Sequence, residues 1–284
     1  MKIVATIDST RAATRAPRRQ GQRVGLVPTM GALHEGHLSL VRAAKAQSDY
    51  VVVSLFVNPL QFGPNEDLAK YPRTWDRDRD LLEQAGVDLL FAPTNAEMYP
   101  DRATTFVNVE GLSERLDGQS RPGHFRGVTT VVSKLFHIVE PDRAFFGQKD
   151  AAQVAIMRRM VRDLNLPVEI VVCPIVREPD GLAMSSRNAY LNPEQRKQAL
   201  VLSRALRRVE ELFGRGEQDA AKLEAAGREV VAEEPGVRLD YLAIVDPDAL
   251  EPVNPGGSGG LVAIAAYVGN TRLIDNVVLN PLTP

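Results

Sequence analysis

Cysteine is nearly absent from this chain: one thiol, Cys173, occurs in 284 residues. A single cysteine excludes a disulfide framework and any multi-cysteine metal site. It lies in an apolar run and reads as a small core residue of a reducing compartment. An excess of one charge is also missing. The 34 Lys and Arg against 36 Asp and Glu leave a net charge of −2. That is no electrostatic footprint for nucleic acid, although 15–23 forms a local basic patch. No stretch reaches the roughly 18 apolar residues of a membrane span. Residues 1–9 lack the apolar core of a secretion signal. The expectation is a cytoplasmic protein with neither a nucleic-acid nor a membrane partner. Hydrophobic content of 44% and charged content of 25% are ordinary for a globular chain. The length suits one large domain or two smaller ones.

What is present is alternation. Apolar strand-like runs at 24–27, 50–56, 87–92, 144–146 and 168–172 are separated by helix-like segments at 38–45, 73–85, 127–139 and 151–164. Strands alternating with helices predict an α/β fold with a mostly parallel sheet flanked by helices. Ligands bind beyond the carboxyl ends of such strands, so the loops after Val27, Phe56 and Phe146 are expected to share one cleft. The pattern changes after Val176. Asn192-Pro193-Glu194-Gln195 carries an N-cap, a first-turn proline and a capping-box glutamine. It predicts a long helix to about residue 213. A second helix is expected over 220–232, then strands over 241–245, 261–267 and 273–279. The division expected is 1–176 for the larger unit and 177–284 for a smaller α+β unit. Gly256-Gly257-Ser258-Gly259-Gly260 reads as a hairpin loop.

The densest chemistry lies in Pro28-Thr29-Met30-Gly31-Ala32-Leu33-His34-Glu35-Gly36-His37, where a strand turns into a helix. Two histidines three apart are expected on one helix face. With free backbone N–H groups and the positive end of the helix dipole, they suit a phosphate. A helix cap is the plainer reading. A zinc-protease helix needs its histidines four apart. A second cluster, Phe146-Gly147-Gln148-Lys149-Asp150, repeats the strand-to-helix design. Gly147 admits a ligand close to the backbone, Lys149 is a mobile charge for phosphate, and Asp150 suits a ribose hydroxyl or a helix cap. A third, Gly181-Leu182-Ala183-Met184-Ser185-Ser186-Arg187-Asn188, sets hydroxyls beside a guanidinium, fitting phosphate oxygens or a surface turn. Phe56-Val57-Asn58-Pro59-Leu60-Gln61-Phe62 places amides at a strand end, and 121–127 is basic and glycine-rich ahead of a helix. Asp76 and Asp78 are expected on an exposed helix face, with a metal the lesser reading. Neither a Walker loop nor a dinucleotide fingerprint occurs.

Taken together, these segments resemble a family. His34-Glu35-Gly36-His37 and Met184-Ser185-Ser186-Arg187 resemble the two phosphate signatures of the nucleotidyl-transferase superfamily. The closer resemblance is to the pantothenate synthetases, the pantoate–β-alanine ligases, whose segments occur in the same order over the first ~190 residues; Arg272-Leu273-Ile274-Asp275-Asn276 fits as well. The resemblance implies a Rossmann-like fold with a C-terminal lid and a homodimer. It also implies an ATP-dependent ligase that forms pantoyl adenylate and then pantothenate, in coenzyme A synthesis. Mg²⁺ is implied as the partner of the ATP phosphates. By position it implies ATP contacts at Met30, Gly31, Ala32, Leu33, His34, Glu35, Gly36, His37, Gly147, Gln148, Lys149, Asp150, Val176, Met184, Ser185, Ser186 and Arg187. His37 corresponds to the family's proton donor, and Gln61 and Gln153 to its pantoate contacts, with Gln61 also at the β-alanine site. Attack on an α-phosphorus needs charge stabilisation, which His34, His37, Lys149, Ser185, Ser186 and Arg187 are expected to supply. One departure stands out: Ala152 replaces a family glutamine. From the residues alone, a nucleotidylyltransferase and a non-catalytic nucleotide- or tRNA-binding protein remain alternatives.

Overall fold

The computed structural model describes residues 1–64, 66, 68–100 and 103–281. The first part of the chain supplies six strands: β1 (Lys2–Val4), β2 (Val24–Thr29), β3 (Tyr50–Leu55), β4 (Leu89–Phe91), β5 (Arg143–Gly147) and β6 (Glu169–Cys173). They form one sheet in the order β1-β4-β3-β2-β5-β6, parallel at every pairing. Its helices are α1 (Ile7–Arg19), α2 (Glu35–Gln47), α3 (Trp75–Gln84), α4 (Asn95–Met98), α5 (Asp117–Ser120), α6 (His124–Val139) and α7 (Ala151–Asp163).

Alternating side chains serve opposite faces of the sheet. Val24, Leu26, Val52, Ala144 and Phe146 enter one apolar cluster with α6 and α7. Val27, Val51, Val53 and Phe145 enter another with α2, Leu82 and Cys173. Both faces are covered, as an all-parallel sheet requires. From β2 the chain steps outward to β3 and later returns to place β5 on the other side of β2. The order reverses there, so the crevice opens beyond Thr29 and Gly147, at the topological switch point.

The rest of the chain forms α8 (Pro193–Gln198), α9 (Val201–Gly214), α10 (Ala220–Ala232) and an antiparallel sheet of β7 (Val237–Val245), β8 (Gly260–Val268) and β9 (Thr271–Leu279). This sheet also divides its faces. Leu242, Ile244, Val262 and Ile264 pack with α9, whereas Val245, Leu261 and Ala263 join the apolar cluster of the larger sheet. Among the described residues no helix is long and apolar enough to cross a membrane.

Two expectations about elements need correction. The single helix predicted to run to residue 213 is broken: Leu200 and Leu202 donate to carbonyls three residues back, those of Lys197 and Ala199. This tighter turn lets α9 lay Leu202, Leu206 and Val209 on the second sheet. The basic patch at 15–23 is largely the end of α1, a helix the pattern did not reveal. Thr6 caps it, accepting from Ser9 N–H at 3.2 Å, and Pro17 falls in its last turn.

Candidate active site

The histidine turn is built differently from a bare helix start. His34 is the N-cap of α2, extended at φ −139°, and His37 is its third residue. Gly36 N–H donates to His34 Nδ1 at 3.1 Å, and His34 N–H donates to His37 Nδ1 at 3.3 Å. The rings are brought together, 4.1 Å between centroids, by a reciprocal capping box. The shared helix face expected from their spacing is not what pairs them. The expectation of free N–H groups is also corrected at Gly36, whose N–H is already satisfied by an imidazole. Gly36 has a steric role besides: a Cβ there would sit 2.9 Å from the His34 ring and 3.8 Å from Met184 Cβ.

These bonds fix the tautomer. Each Nδ1 accepts a backbone N–H, so a neutral ring carries its proton on Nε2. Burial, then the charge of Lys149, lowers His34 to about 4. Burial, then His34 and Lys149, lowers His37 to about 3. At neutral pH both are uncharged Nε2–H donors.

The strand ends around them converge. A cavity of about 200 Å³ is lined by Met30, His37, Asn58, Gln61, Gly147 and Gln153, with an apolar wall that includes Phe56, Val128, Val131 and Leu135. Gln61, 9% exposed, donates through Nε2 to Met30 Sδ at 3.0 Å and accepts from Asn58 Nδ2 at 3.1 Å. Asn58 is held in turn by the Tyr99 hydroxyl, which donates to it at 2.8 Å, and by donating to the Gly127 carbonyl at 3.0 Å. Gly127 is required by close approach: a Cβ would lie 2.2 Å from the Leu60 carbonyl oxygen.

A larger cleft of about 590 Å³ adjoins it, lined by Lys149, Ser185, Arg187 and Arg272 among others. Arg121, His124, Asp150, Gln153 and Arg187 line both spaces, so the two communicate. Arg121 donates to Glu66 at 2.7 Å, to His124 Nε2 at 3.1 Å and to the Gln61 carbonyl at 3.3 Å. His124 Nδ1 donates to the same carbonyl at 2.7 Å, the opposite tautomer from the other pair. Burial, then Arg121, lowers it to about 4. The basic segment 121–127 is thus part of the cleft wall.

The second sheet grips the turn at 147–150 and the segment leading into 184–187. Asn276 of β9, 2% exposed, donates through Nδ2 to the carbonyls of Gln148 and Lys149, both at 2.9 Å. Its Oδ1 accepts from Gln148 Nε2 at 3.1 Å. The neighbouring Asp275 takes both arms of Arg177, at 2.6 and 3.0 Å. Arg177 and Ala183 form an antiparallel bridge, and Met184 N–H donates to the Val176 carbonyl at 2.9 Å. That bridge presents the turn in which Ser185 Oγ accepts from Arg187 N–H at 3.2 Å. Arg272 spans from Asp117 at 2.7 Å to Asp240 at 2.8 Å.

Not every predicted site residue turns its side chain to the cleft. Leu33 is 1% exposed and packs in the core. Ala32 is buried. The Glu35 carboxylate pairs with Arg42. Gly31 lines a third cavity, of about 450 Å³, which shares Met30 and Phe56 with the smaller space. Gln148 is committed to Asn276. His34, Gly36, Val176, Met184 and Ser186 line neither of the two joined spaces. Ala152 is 3% exposed within the apolar cluster, so the missing glutamine leaves Gln153 on the cleft side of α7. Asp76 is exposed and pairs with Arg79 at 3.2 Å. The expectation for Asp78 is overturned: it is 1% exposed and accepts from Ala32 N–H at 2.8 Å and Leu33 N–H at 2.9 Å. Its spacing from Leu82, one turn on along the same face, was the available signal.

Comparison with known proteins bears on this geometry. The family profile described as pantoate-beta-alanine ligase matches residues 2–278. A pantothenate synthetase of Koribacter versatilis (strain Ellin345) is 64% identical over 279 residues, covering 98% of this chain and 96% of the other. The crystal structure of pantothenate synthetase from Thermus thermophilus superposes with a TM-score of 0.94 at 52% identity, covering 99% of this chain and 100% of that one. A pantoate-beta-alanine ligase from Francisella tularensis, solved in complex with beta-gamma ATP and beta-alanine, has a TM-score of 0.76 at 34% identity, covering 98% and 97%.

Proposed function

The chain belongs to the pantoate–β-alanine ligase family, and on that premise we propose how its own residues divide the reaction. It is a ligase that condenses pantoate and β-alanine to pantothenate with ATP. In the first step a pantoate carboxylate oxygen attacks the α-phosphorus, and pyrophosphate leaves. In the second the β-alanine nitrogen attacks the acyl carbon, the C–N bond forms, and AMP leaves with the bridging oxygen.

The observation that carries the reading is the pair of joined spaces. The smaller one suits pantoate: its apolar wall takes the dimethyl centre, and Gln61 and Gln153 take hydroxyl and carboxylate oxygens. The larger one suits the triphosphate, with Lys149, Ser185 and Arg187 as donors on its wall and Ser186 beside them in the same turn. His34 and His37 act as neutral Nε2–H donors to an α-phosphate oxygen, whose growing charge Lys149 and Arg187 offset. Met30, Gly31 and Glu35 serve through the backbone of their turn, and Gly147, Gln148, Val176 and Met184 through theirs; Ala32, Leu33 and Gly36, whose N–H groups are taken by Asp78 and His34, serve by shaping that turn. Asp150 faces the nucleotide. The apolar wall keeps water from a labile acyl adenylate.

Mg²⁺ belongs to this reading as a companion of the triphosphate. Among the described residues no three carboxylate, imidazole or thiol groups converge into a metal cage, which fits an ion carried mainly by phosphate oxygens. Asp150 beside Lys149 is the carboxylate that would touch it, and the ion supplies charge neutralisation when bound. We divide the chain at Val176 into a catalytic unit and a smaller lid. Because Val245, Leu261 and Ala263 are packed into the larger unit's core, closure is a small adjustment of a packed interface. A homodimer in the cytoplasm completes the reading, supported by the family resemblance and the sequence composition.

The test is ATP–pyrophosphate exchange. Exchange is expected only when pantoate is present, with a free amide and AMP appearing once β-alanine is added. Exchange that proceeds equally well without pantoate overturns the assignment.

A further inference from the structure

We propose that Asp78 is a positioning residue for the two histidines, acting through the backbone of the turn that carries them. The turn from β2 to α2 contains two consecutive residues in the left-handed region, Gly31 at φ +84° and Ala32 at φ +52°. Alanine adopts that conformation only when its surroundings enforce it. Successive N–H groups in such a turn form a concavity for an anion. Here the protein fills it with its own carboxylate: Asp78 Oδ2 accepts from Ala32 and Oδ1 from Leu33. The next N–H, of His34, goes to His37 Nδ1. Three consecutive amides are therefore fixed by side chains, and the third of these bonds is half of the histidine capping box.

The carboxylate comes from a distant part of the chain. Asp78 is the fourth residue of α3, more than 40 positions after the turn. It is 1% exposed, and none of the ion pairs among the described residues includes it. A carboxylate buried on backbone donors alone is costly unless those bonds are needed. What they set is the path of the chain into His34, and so the aim of both Nε2–H groups. Asp78 lines neither of the two spaces assigned to pantoate and ATP but the adjoining third cavity beside Gly31, so it acts through the turn.

This inference rests on the reading of His34 and His37 as phosphate-side donors, and its test separates the two. Asp78→Asn keeps the shape but turns an amide NH₂ toward one of the two backbone N–H groups, so one bond is replaced by a donor–donor contact. Pantoate-dependent ATP–pyrophosphate exchange is expected to fall at least tenfold in Asp78→Asn. In a His34→Ala/His37→Ala background the same change is expected to cost less than threefold, because both groups being aimed are gone. Equal factors in both backgrounds overturn the proposal, as does exchange within twofold of wild type in Asp78→Asn. Imidazole ¹⁵N NMR of the ligand-free protein gives an independent readout. Wild type is expected to show two histidines protonated at Nε2 with Nδ1 accepting, and Asp78→Asn to lose that signature for at least one of them. Unchanged tautomers in folded Asp78→Asn refute the positioning role whatever the exchange assay shows. If pantoate-dependent exchange is missing in wild type, the functional reading fails while the NMR result still decides the role of Asp78. Asp78→Glu serves where the asparagine variant does not fold: it keeps the charge, displaces both oxygens by a methylene, and is expected to show the same non-additivity with the His34→Ala/His37→Ala pair.

Discussion

Replacing Asn276 with alanine removes three hydrogen bonds that tie the second sheet to the turn holding Lys149. The site is 2% exposed, so water does not readily take over the two carbonyls of Gln148 and Lys149. At about 1 kcal/mol net per neutral bond, roughly 3 kcal/mol is at stake. Part is lost as stability and part as disorder of the turn. If half falls on each, the melting temperature drops by roughly 3–6 °C for a chain of this size. The KM for ATP rises about tenfold, the factor that corresponds to about 1.4 kcal/mol. Asn276→Asp is the sharper variant. It still accepts from Gln148 Nε2 but sets a negative carboxylate against two carbonyl oxygens, so it is expected to be at least as damaging as alanine. Thermal denaturation and initial rates over a range of ATP concentrations measure both effects. An Asn276→Asp protein with wild-type melting temperature and an ATP KM within twofold of wild type refutes the idea that β9 holds the Lys149 turn.

Two further outcomes follow from the histidines. His37→Ala is expected to lose on the order of 10²-fold in the adenylation step, the scale of one preorganised donor; pyrophosphate exchange within threefold of wild type removes His37 from the mechanism. Acidification is expected to destabilise the fold, because His37, His34 and His124 have folded values of about 3, 4 and 4 against an ordinary 6.5. The unfolded chain binds protons first as pH falls below 6.5, so stability drops from there toward the folded values. Between pH 7 and 5.5 the loss is about 1 kcal/mol each for His37 and His124, and less for the partly open His34. Urea denaturation at the two pH values measures it, and an unchanged midpoint contradicts the buried neutral rings.

Much of the architecture is legible in the sequence because it repeats. Runs such as Tyr50-Val51-Val52-Val53-Ser54-Leu55 report a strand covered on both faces, and the order of strands and helices fixes a parallel sheet with its cleft at the strand ends. Helix α1 escaped because its sequence, rich in arginine and threonine, buries only a narrow stripe at Thr10, Thr14 and Pro17. The break between α8 and α9 escaped because Ala199 and Leu200 are good helix formers; the packing of α9 on the second sheet, not local propensity, bends the chain there.

Sequence by itself determined which chemistry was available: the two histidines at one turn, Lys149 and Ser185-Ser186-Arg187 in loops, the glutamines at 61 and 153, and a core able to form around a parallel sheet. Those are matters of residue type and local spacing. Only the tertiary structure decided how the residues are used. The histidines cap each other, which sets their tautomers and, through burial beside Lys149, keeps them neutral. Asp78 turned out to be an internal anion for the turn, and Asn276 a clamp from the far end of the chain. Ala152 proved to face the core. Each of these depends on partners far apart in the chain or on the solvent excluded between them, and neither is written in a local pattern.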